Sequence, residues 1–248
     1  MPTGFEAELR LALQEMQDLN ETTVTHLVVG MSPTAAYRLV PLAVSRLMRR
    51  RPKLTVRLVE AGKPMLMADL LAGATDMFIA MKNPSEVLPG IVITDLFSDE
   101  FVLMVRAGHP LTALSPPLGP KALGGFGWVL PDIGGILRMR FDEWLQREGV
   151  PLAGNVISTA SISATKALAL TSDRIAAGPV HAFERELREG SLARLGGTWS
   201  TMQREFSLYR RAQAEDPPIV VLFLSMLREL LREIPSLQPL KSPIGPSS

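Results

Sequence analysis

The sequence predicts an α/β protein of two lobes with a ligand cleft between them, and three observations predict it. Residues 24–80 alternate between short apolar runs and helical apolar stripes. A β-rich run at 91–105, "IVITDLFSDEFVLMV", is terminated by "RAGHPL". A second alternation then fills 128–189, after the Pro- and Gly-rich boundary "TALSPPLGPKALGGFG". Strands that alternate with helices through short connections pair in parallel with right-handed crossovers.

The first element is a helix over 4–19, where Phe5, Leu9, Leu13, Met16 and Leu19 recur at spacings of four, four, three and three. It either caps its own domain or is the stub of a longer helix that pairs with a second chain. Residues 24–31 read as a buried strand and 34–50 as a helix, in which Pro41 predicts a break or kink. Residues 54–59 alternate as a strand. The segment 64–72 is a helix with Pro64 in its first turn and Gly73 at its end, and 77–80 is a strand. Beyond the boundary, 128–130, 156–158 and 174–177 read as strands, and 136–147, 162–170 and 182–189 as helices. "REFSLYRR" returns as a strand, 219–234 is a long amphipathic helix, and the Pro/Ser-rich 235–248 is expected to be disordered.

Composition narrows the function. Of 248 residues 46% are hydrophobic, enough for a substantial core. The 26 Lys and Arg against 25 Asp and Glu give a net charge of +1, which provides no general attraction for DNA or anionic lipid. With no cysteine, disulfides, thiol catalysis and Cys-based zinc sites are excluded. No basic-then-apolar leader opens the chain, and no apolar run approaches the ~20 residues of a membrane span. The expectation is a soluble cytoplasmic protein with no membrane partner. His26, His109 and His181 lack metal spacing, and His109, in Gly-His-Pro, reads as fixing a turn. Asp99 and Glu100 sit in a strand with no partner base. No P-loop, GxGxxG or G-x-S-x-G motif is present, so no catalytic constellation, metal or cofactor is expected.

The candidate site is a pair of helix starts. In "GMSPTAAYRLVP", Ser32 suits an N-cap, Pro33 the first helical position, and Thr34 adds a hydroxyl. No acid follows in the first turn, and a bare helix start at a strand's carboxyl end suits an anion. The stretch "VLPDIGGILRMRFDEWL" repeats the arrangement in the second half, with Asp132, Gly134 and Gly135 before the helix. Two such starts converging on one small acid want a charged side chain, and Lys63 is the best candidate, although a solvated loop lysine is the bland alternative. Its replacement by Met is expected to abolish binding with little change in melting temperature.

The order of these segments resembles the effector-binding domain of LysR-type transcriptional regulators. "VVGMSPTAAYRLVPLAVSRLMRRRPKLTVRLVEAG" supplies the strand, the Ser/Thr-bearing helix start, the Val40-Pro41 step and a "P-x-L-x-V-x-L" strand from Pro52. "LLAGATDMFI" matches "L-x-x-G-x-x-D" through Leu70, Gly73 and Asp76; "GHPL" follows the strand ending at Val105, and "ALALTSDRIAAGP" stands near the later glycine motif. Agreement runs from about 22 to 234.

The resemblance implies a type 2 periplasmic-binding-protein-like fold, with two α/β lobes joined by two crossover strands near Val105–Arg106 and Met202–Glu205. It divides the chain into the end of a linker helix at 1–21, lobe I at 22–105 plus 204–234, lobe II at 106–203 and the tail. Ser32, Pro33, Thr34, Lys63, Met81, Asp132, Gly134, Gly135, Ser161 and Gly178 are the implied effector-binding residues. The implied function is sensing a small, anionic effector, a carboxylate of aromatic catabolism, or a sugar. The partners are a second copy in a homodimer or tetramer, formed through helices 34–50 and 219–234, and DNA only through an N-terminal domain absent from this sequence. The alternative is a transporter's solute-binding protein, which a signal peptide upstream would reveal.

Overall fold

A computed structural model describes residues 26–240 apart from 84–85, 133–134, 153–154, 200 and 213–216. The expected helix at 4–19, Gly134 and residues 241–248 lie outside the described residues. Strand β1 (His26–Met31) pairs in parallel with β2 (Thr55–Glu60) and β3 (Met77–Met81). Between them run α1 (Pro33–Tyr37), α2 (Leu39–Arg50) and α3 (Lys63–Leu71). The single helix expected over 34–50 breaks at Arg38, whose φ is −141°, rather than at Pro41. A proline ring clashes with the carbonyl four residues earlier, and that carbonyl belongs to Tyr37, the last residue of α1.

Two long strands carry the chain between halves. β4 (Ile91–Arg106) and β9 (Met202–Arg211) pair antiparallel from Ile91 opposite Arg211 to Phe101 opposite Met202, with a register shift between Asp95 and Phe97. β9 also pairs with β3, antiparallel. In the second half β5 (Trp128–Leu130) lies between β6 (Val156–Ser158) and β7 (Ile175–Pro179), parallel to both, and β7 joins β4. Helices α4 (Ile136–Arg147), α5 (Ile162–Thr171) and α6 (Val180–Glu189) flank these strands. The last helix, α7 (Pro218–Glu233), returns to pack beside α2. Because β4 and β9 belong to both halves, all strands form one mixed sheet, ordered β2-β1-β3-β9-β4-β7-β5-β6.

Two further strands escaped the sequence reading. β8 (Leu192–Arg194) and β10 (Leu237–Pro239) both add to β4. β10 falls in the segment expected to be disordered, and burial of Leu237 in the first core is what anchors it.

The inner strands β3, β5 and β7 are buried on both faces. In β3, Met77, Ile79 and Met81 face α2 and α7, whereas Phe78 and Ala80 face Leu66 and Leu70 of α3. This period of two is the strand's own geometry. Gly30 lies where a Cβ would come 2.7 Å from Phe78 Cβ and 2.8 Å from Leu66 Cδ2, so only glycine lets β1 approach both. In β4, Leu96 and Phe97 belong to the first core, and Phe101, Leu103 and Val105 to a second that includes Trp128, Phe141 and Trp144. The chain therefore changes core between Phe97 and Phe101, several residues before the Val105–Arg106 step that the resemblance suggests.

At that junction Asp99 and Arg204 stand opposite each other across β4 and β9. Arg204 Nε donates to Asp99 Oδ1 at 2.8 Å and Arg204 Nη2 to Oδ2 at 2.5 Å. The guanidinium lies between the rings of Phe101 and Phe206, 4.7 and 5.1 Å from their centroids. From α6, His181 brings Nδ1 to 3.2 Å from Asp99 Oδ2, a close contact without hydrogen-bond alignment. Its Nε2 lies 3.3 Å from the carbonyl oxygen of Thr34 in α1. Burial would push the Asp99 carboxyl up, but Arg204 and His181 outweigh it and hold it below the usual carboxylate range.

Asp99→Ala strands a buried guanidinium and is expected to cost about 3–5 kcal/mol, read from the urea midpoint. The depressed folded-state value means that Asp99's contribution is complete above about pH 4 and is lost as pH falls through that lowered value. Acid titration of stability should show this component in the wild type and lack it in Asp99→Asn.

Candidate functional site

A cleft of about 570 Å³ opens between the halves, beyond the carboxyl ends of six strands. On one wall stand Ser32, Pro33 and Thr34 after β1, Gly62, Lys63 and Pro64 after β2, and Met81, Asn83 and Glu86 at and after the end of β3. On the other stand Asp132 and Gly135 after β5, Thr159 and Ala160 after β6, and Gly178 in β7. Phe101, Arg204 and Phe206 of the crossing strands form the floor.

Of the residues singled out from sequence, Ser32, Pro33, Thr34, Lys63, Met81, Asp132, Gly135 and Gly178 line this cleft. Ser161 does not: it is exposed, and its hydroxyl is spent accepting the Ala164 N–H as the N-cap of α5. Its neighbours Thr159, Ala160 and Ile162 reach the cleft instead. Gly178 contributes space, since a Cβ there would meet Phe183 Cε2 at 2.4 Å. His109 accepts the Leu111 N–H through Nδ1 and so fixes its turn.

Helices α1, α3 and α4 all begin at the cleft with no acid in the first turn. Ser32 occupies the N-cap position of α1 without making a capping hydrogen bond, and its buried Oγ has no partner among the described residues. Asn83 Oδ1, also buried at the cleft, has none among them either. Buried polar atoms without partners are uncommon, and at a cleft they are positions a ligand can satisfy.

Lys63 is not the bare cation that the sequence suggests. As the first residue of α3 it donates to Glu86 Oε2 at 2.5 Å, Tyr209 Oη at 2.8 Å and the Met81 carbonyl at 3.2 Å. Tyr209 Oη in turn donates to the same Glu86 oxygen at 2.8 Å, and the Asn83 N–H reaches it at 3.3 Å. Burial lowers the Lys63 ammonium from its ordinary value, and Glu86 offsets this only in part. Burial pushes the Glu86 carboxyl up, but its three donors outweigh that and hold it below the usual range. Burial and the neighbouring carboxylate raise the Tyr209 hydroxyl well above its ordinary value, so it remains a donor.

Sequence reasoning missed Glu86, Tyr209, Asn83 and Arg204. It also left Asp99 without a partner, which the contacts to Arg204 and His181 correct. Alternation along "REFSLYRR" carries a signal for Tyr209, which places it on the α3 side of the sheet opposite Phe206 and Leu208. Nothing local marks Glu86, which lies in the connection between β3 and β4. Among the described residues, no group of His, Cys, Asp and Glu could hold a metal ion, and no helix is long and apolar enough to cross a membrane.

The model of the LysR substrate binding domain matches residues 20–232. The chain belongs to this family. A LysR-type relative, the HTH-type transcriptional regulator GalR of Pseudomonas putida, is 26% identical over 226 residues, covering 91% of this chain and 56% of its own length. The regulator GbpR of Rhizobium radiobacter is 28% identical over 79% of this chain and 67% of its own length. This LysR-type domain thus spans little more than half to two thirds of those curated relatives. The reduced form of OxyR from N. meningitidis shares its fold, with a TM-score of 0.67 at 19% identity, over 87% of this chain and 99% of that one. The relatives are transcriptional regulators, a non-enzymatic family, rather than solute-binding proteins of transporters.

In this LysR-type domain Lys63→Met leaves the half-buried Glu86 carboxylate without its cation. The melting temperature should fall, by an amount corresponding to about 1–3 kcal/mol, where the sequence alone suggests little change. Differential scanning calorimetry of the two proteins checks this.

Proposed function

We propose that the chain is a cytoplasmic effector-sensing module, that it takes a small carboxylate or a sugar in the interlobe cleft, and that it passes the binding event to a DNA-binding domain of the full-length regulator. The observation that carries the reading is the cleft itself, lined from both halves, in which Ser32 Oγ and Asn83 Oδ1 are buried without partners among the described residues. Pro33, Pro64, Phe101, Ile136 and Phe206 around them suit the apolar body of a small organic ligand.

Transmission needs a ligand that prefers one lobe arrangement over another. Contacts that would change with such a motion bridge the halves on the α1 side. Arg38 Nη1 donates to Glu184 Oε2 of α6 at 2.5 Å, and Lys166 Nζ of α5 to Tyr37 Oη at 2.6 Å. Assembly as a homodimer or tetramer fits the exposed Leu42 and Met48 on α2 and Val221 on α7, which give the paired helices an apolar outer edge.

A thermal-shift panel of aromatic carboxylates, dicarboxylates and sugars should give a saturable rise in melting temperature with at least one class; a flat response throughout counts against the cleft as an effector site. Ser32→Ala removes an unbonded hydroxyl, so it should leave stability unchanged while weakening the effector about 3- to 10-fold by calorimetric titration. Sedimentation equilibrium at tens of micromolar should show a dimer or larger, and a strict monomer would argue against the assembly.

A further inference from the structure

The cluster at the mouth of α3 has an asymmetry that bears on what the cleft accepts. Its donors are fixed by the fold. Lys63 is the first residue of α3, held between Gly62 and Pro64, and its ammonium sits 4.4 Å from the Tyr209 ring centroid. Tyr209 is fully buried in β9 and stacks on Phe78 with centroids 4.6 Å apart and planes 6° from parallel. The acceptor is held differently. Glu86 comes from the connection between β3 and β4, outside any helix or strand, and its neighbour Val87 is 86% exposed. All three protons of Lys63 are already engaged, so no ligand gains a hydrogen bond from it without displacing an existing partner.

We propose that Glu86 is an internal occupant of a carboxylate subsite, and that a monocarboxylate effector takes its place on Lys63 Nζ and Tyr209 Oη while Glu86 turns out to solvent. This rests on the cleft being the effector site, and it commits the effector to an acid instead of a sugar. The exchange conserves bonds. One carboxylate leaves the hydrogen bonds from Lys63 Nζ, Tyr209 Oη and the Asn83 N–H and another takes them up, so Lys63 is never stranded, and Glu86 regains water as the ligand loses it. A neutral hydroxyl compound cannot make this exchange, because displacing Glu86 would leave the ammonium without counter-charge. Met67, Pro64 and Leu88 line the adjoining wall and suit the apolar body behind the acid group. Glu86 then sets specificity by competition: only a carboxylate with enough apolar surface to outbid it enters.

Glu86→Ala empties the subsite, and acetate is small enough to refill it. In the whole chain at constant ionic strength, acetate should raise the melting temperature of Glu86→Ala saturably in the millimolar range. It should leave the wild type and Lys63→Met/Glu86→Ala unmoved, and acetamide should do nothing in any of them. If Glu86→Ala fails to fold, Glu86→Ser, smaller but polar, takes its place. No saturable response in the single variant, or an equal response in the wild type, overturns the internal occupant. A panel carboxylate that binds the wild type should bind Glu86→Gln about tenfold more tightly, and weaker binding there would make Glu86 a direct ligand contact and sink the exchange. The panel in the wild type judges the cleft independently of the acetate series: a panel that finds only sugars preserves the effector site and overturns this subsite.

Discussion

The bidentate contact between Arg204 and Asp99 is the constraint on which the arrangement of the halves depends. It lies in register between the two strands that pass from one core to the other, and it is sealed above and below by Phe101 and Phe206. A planar guanidinium suits this position in a way that a lysine ammonium does not, because it presents a fork to the carboxylate and flat faces to the rings. The same group forms part of the cleft floor, and Thr34 Oγ1 lies 3.5 Å from its remaining nitrogen. Whatever occupies the cleft therefore rests on the element that sets the angle between its walls.

Charge in the cleft is arranged as pairs. Lys63 with Glu86 and Arg204 with Asp99 each place a cation against an anion, so the cavity offers directed hydrogen bonding and little net field. Such a site distinguishes ligands by whether they can substitute for a specific partner, which is a sharper criterion than attraction to a positive patch. Bare helix ends add a modest bias of about 0.3–1 kcal/mol each, too little to select a ligand alone.

Much of the fold is legible in the sequence because it follows from local periodicity. The elements at 128–130, 136–147 and 156–158 have the predicted bounds, since apolar spacing and flanking Gly or Pro residues are local signals. The break at Arg38 is displaced from the proline that causes it because a proline acts on the turn before itself. β8 and β10 are too short to show a pattern, and their existence depends on partners in β4 distant in sequence. The site is legible in its backbone, through Ser32, Pro33 and Gly135, and illegible in its charge pairing. Whether Lys63 is free or neutralised is decided by Glu86, 23 residues away and itself outside any helix or strand.

The short strand that follows α7 has a mechanical consequence. β10 lies along β4 with Leu237 opposite Asp99, on the edge away from β9, so the strand crossing is splinted from both sides. Ser236, just before it, donates to Glu184, the same carboxylate that receives Arg38. A stretch of sequence that reads as trailing chain thus braces the joint and touches the contact bridging the two halves. A brace so placed would stiffen the joint against any swing of the walls while contributing none of the residues that line the cleft.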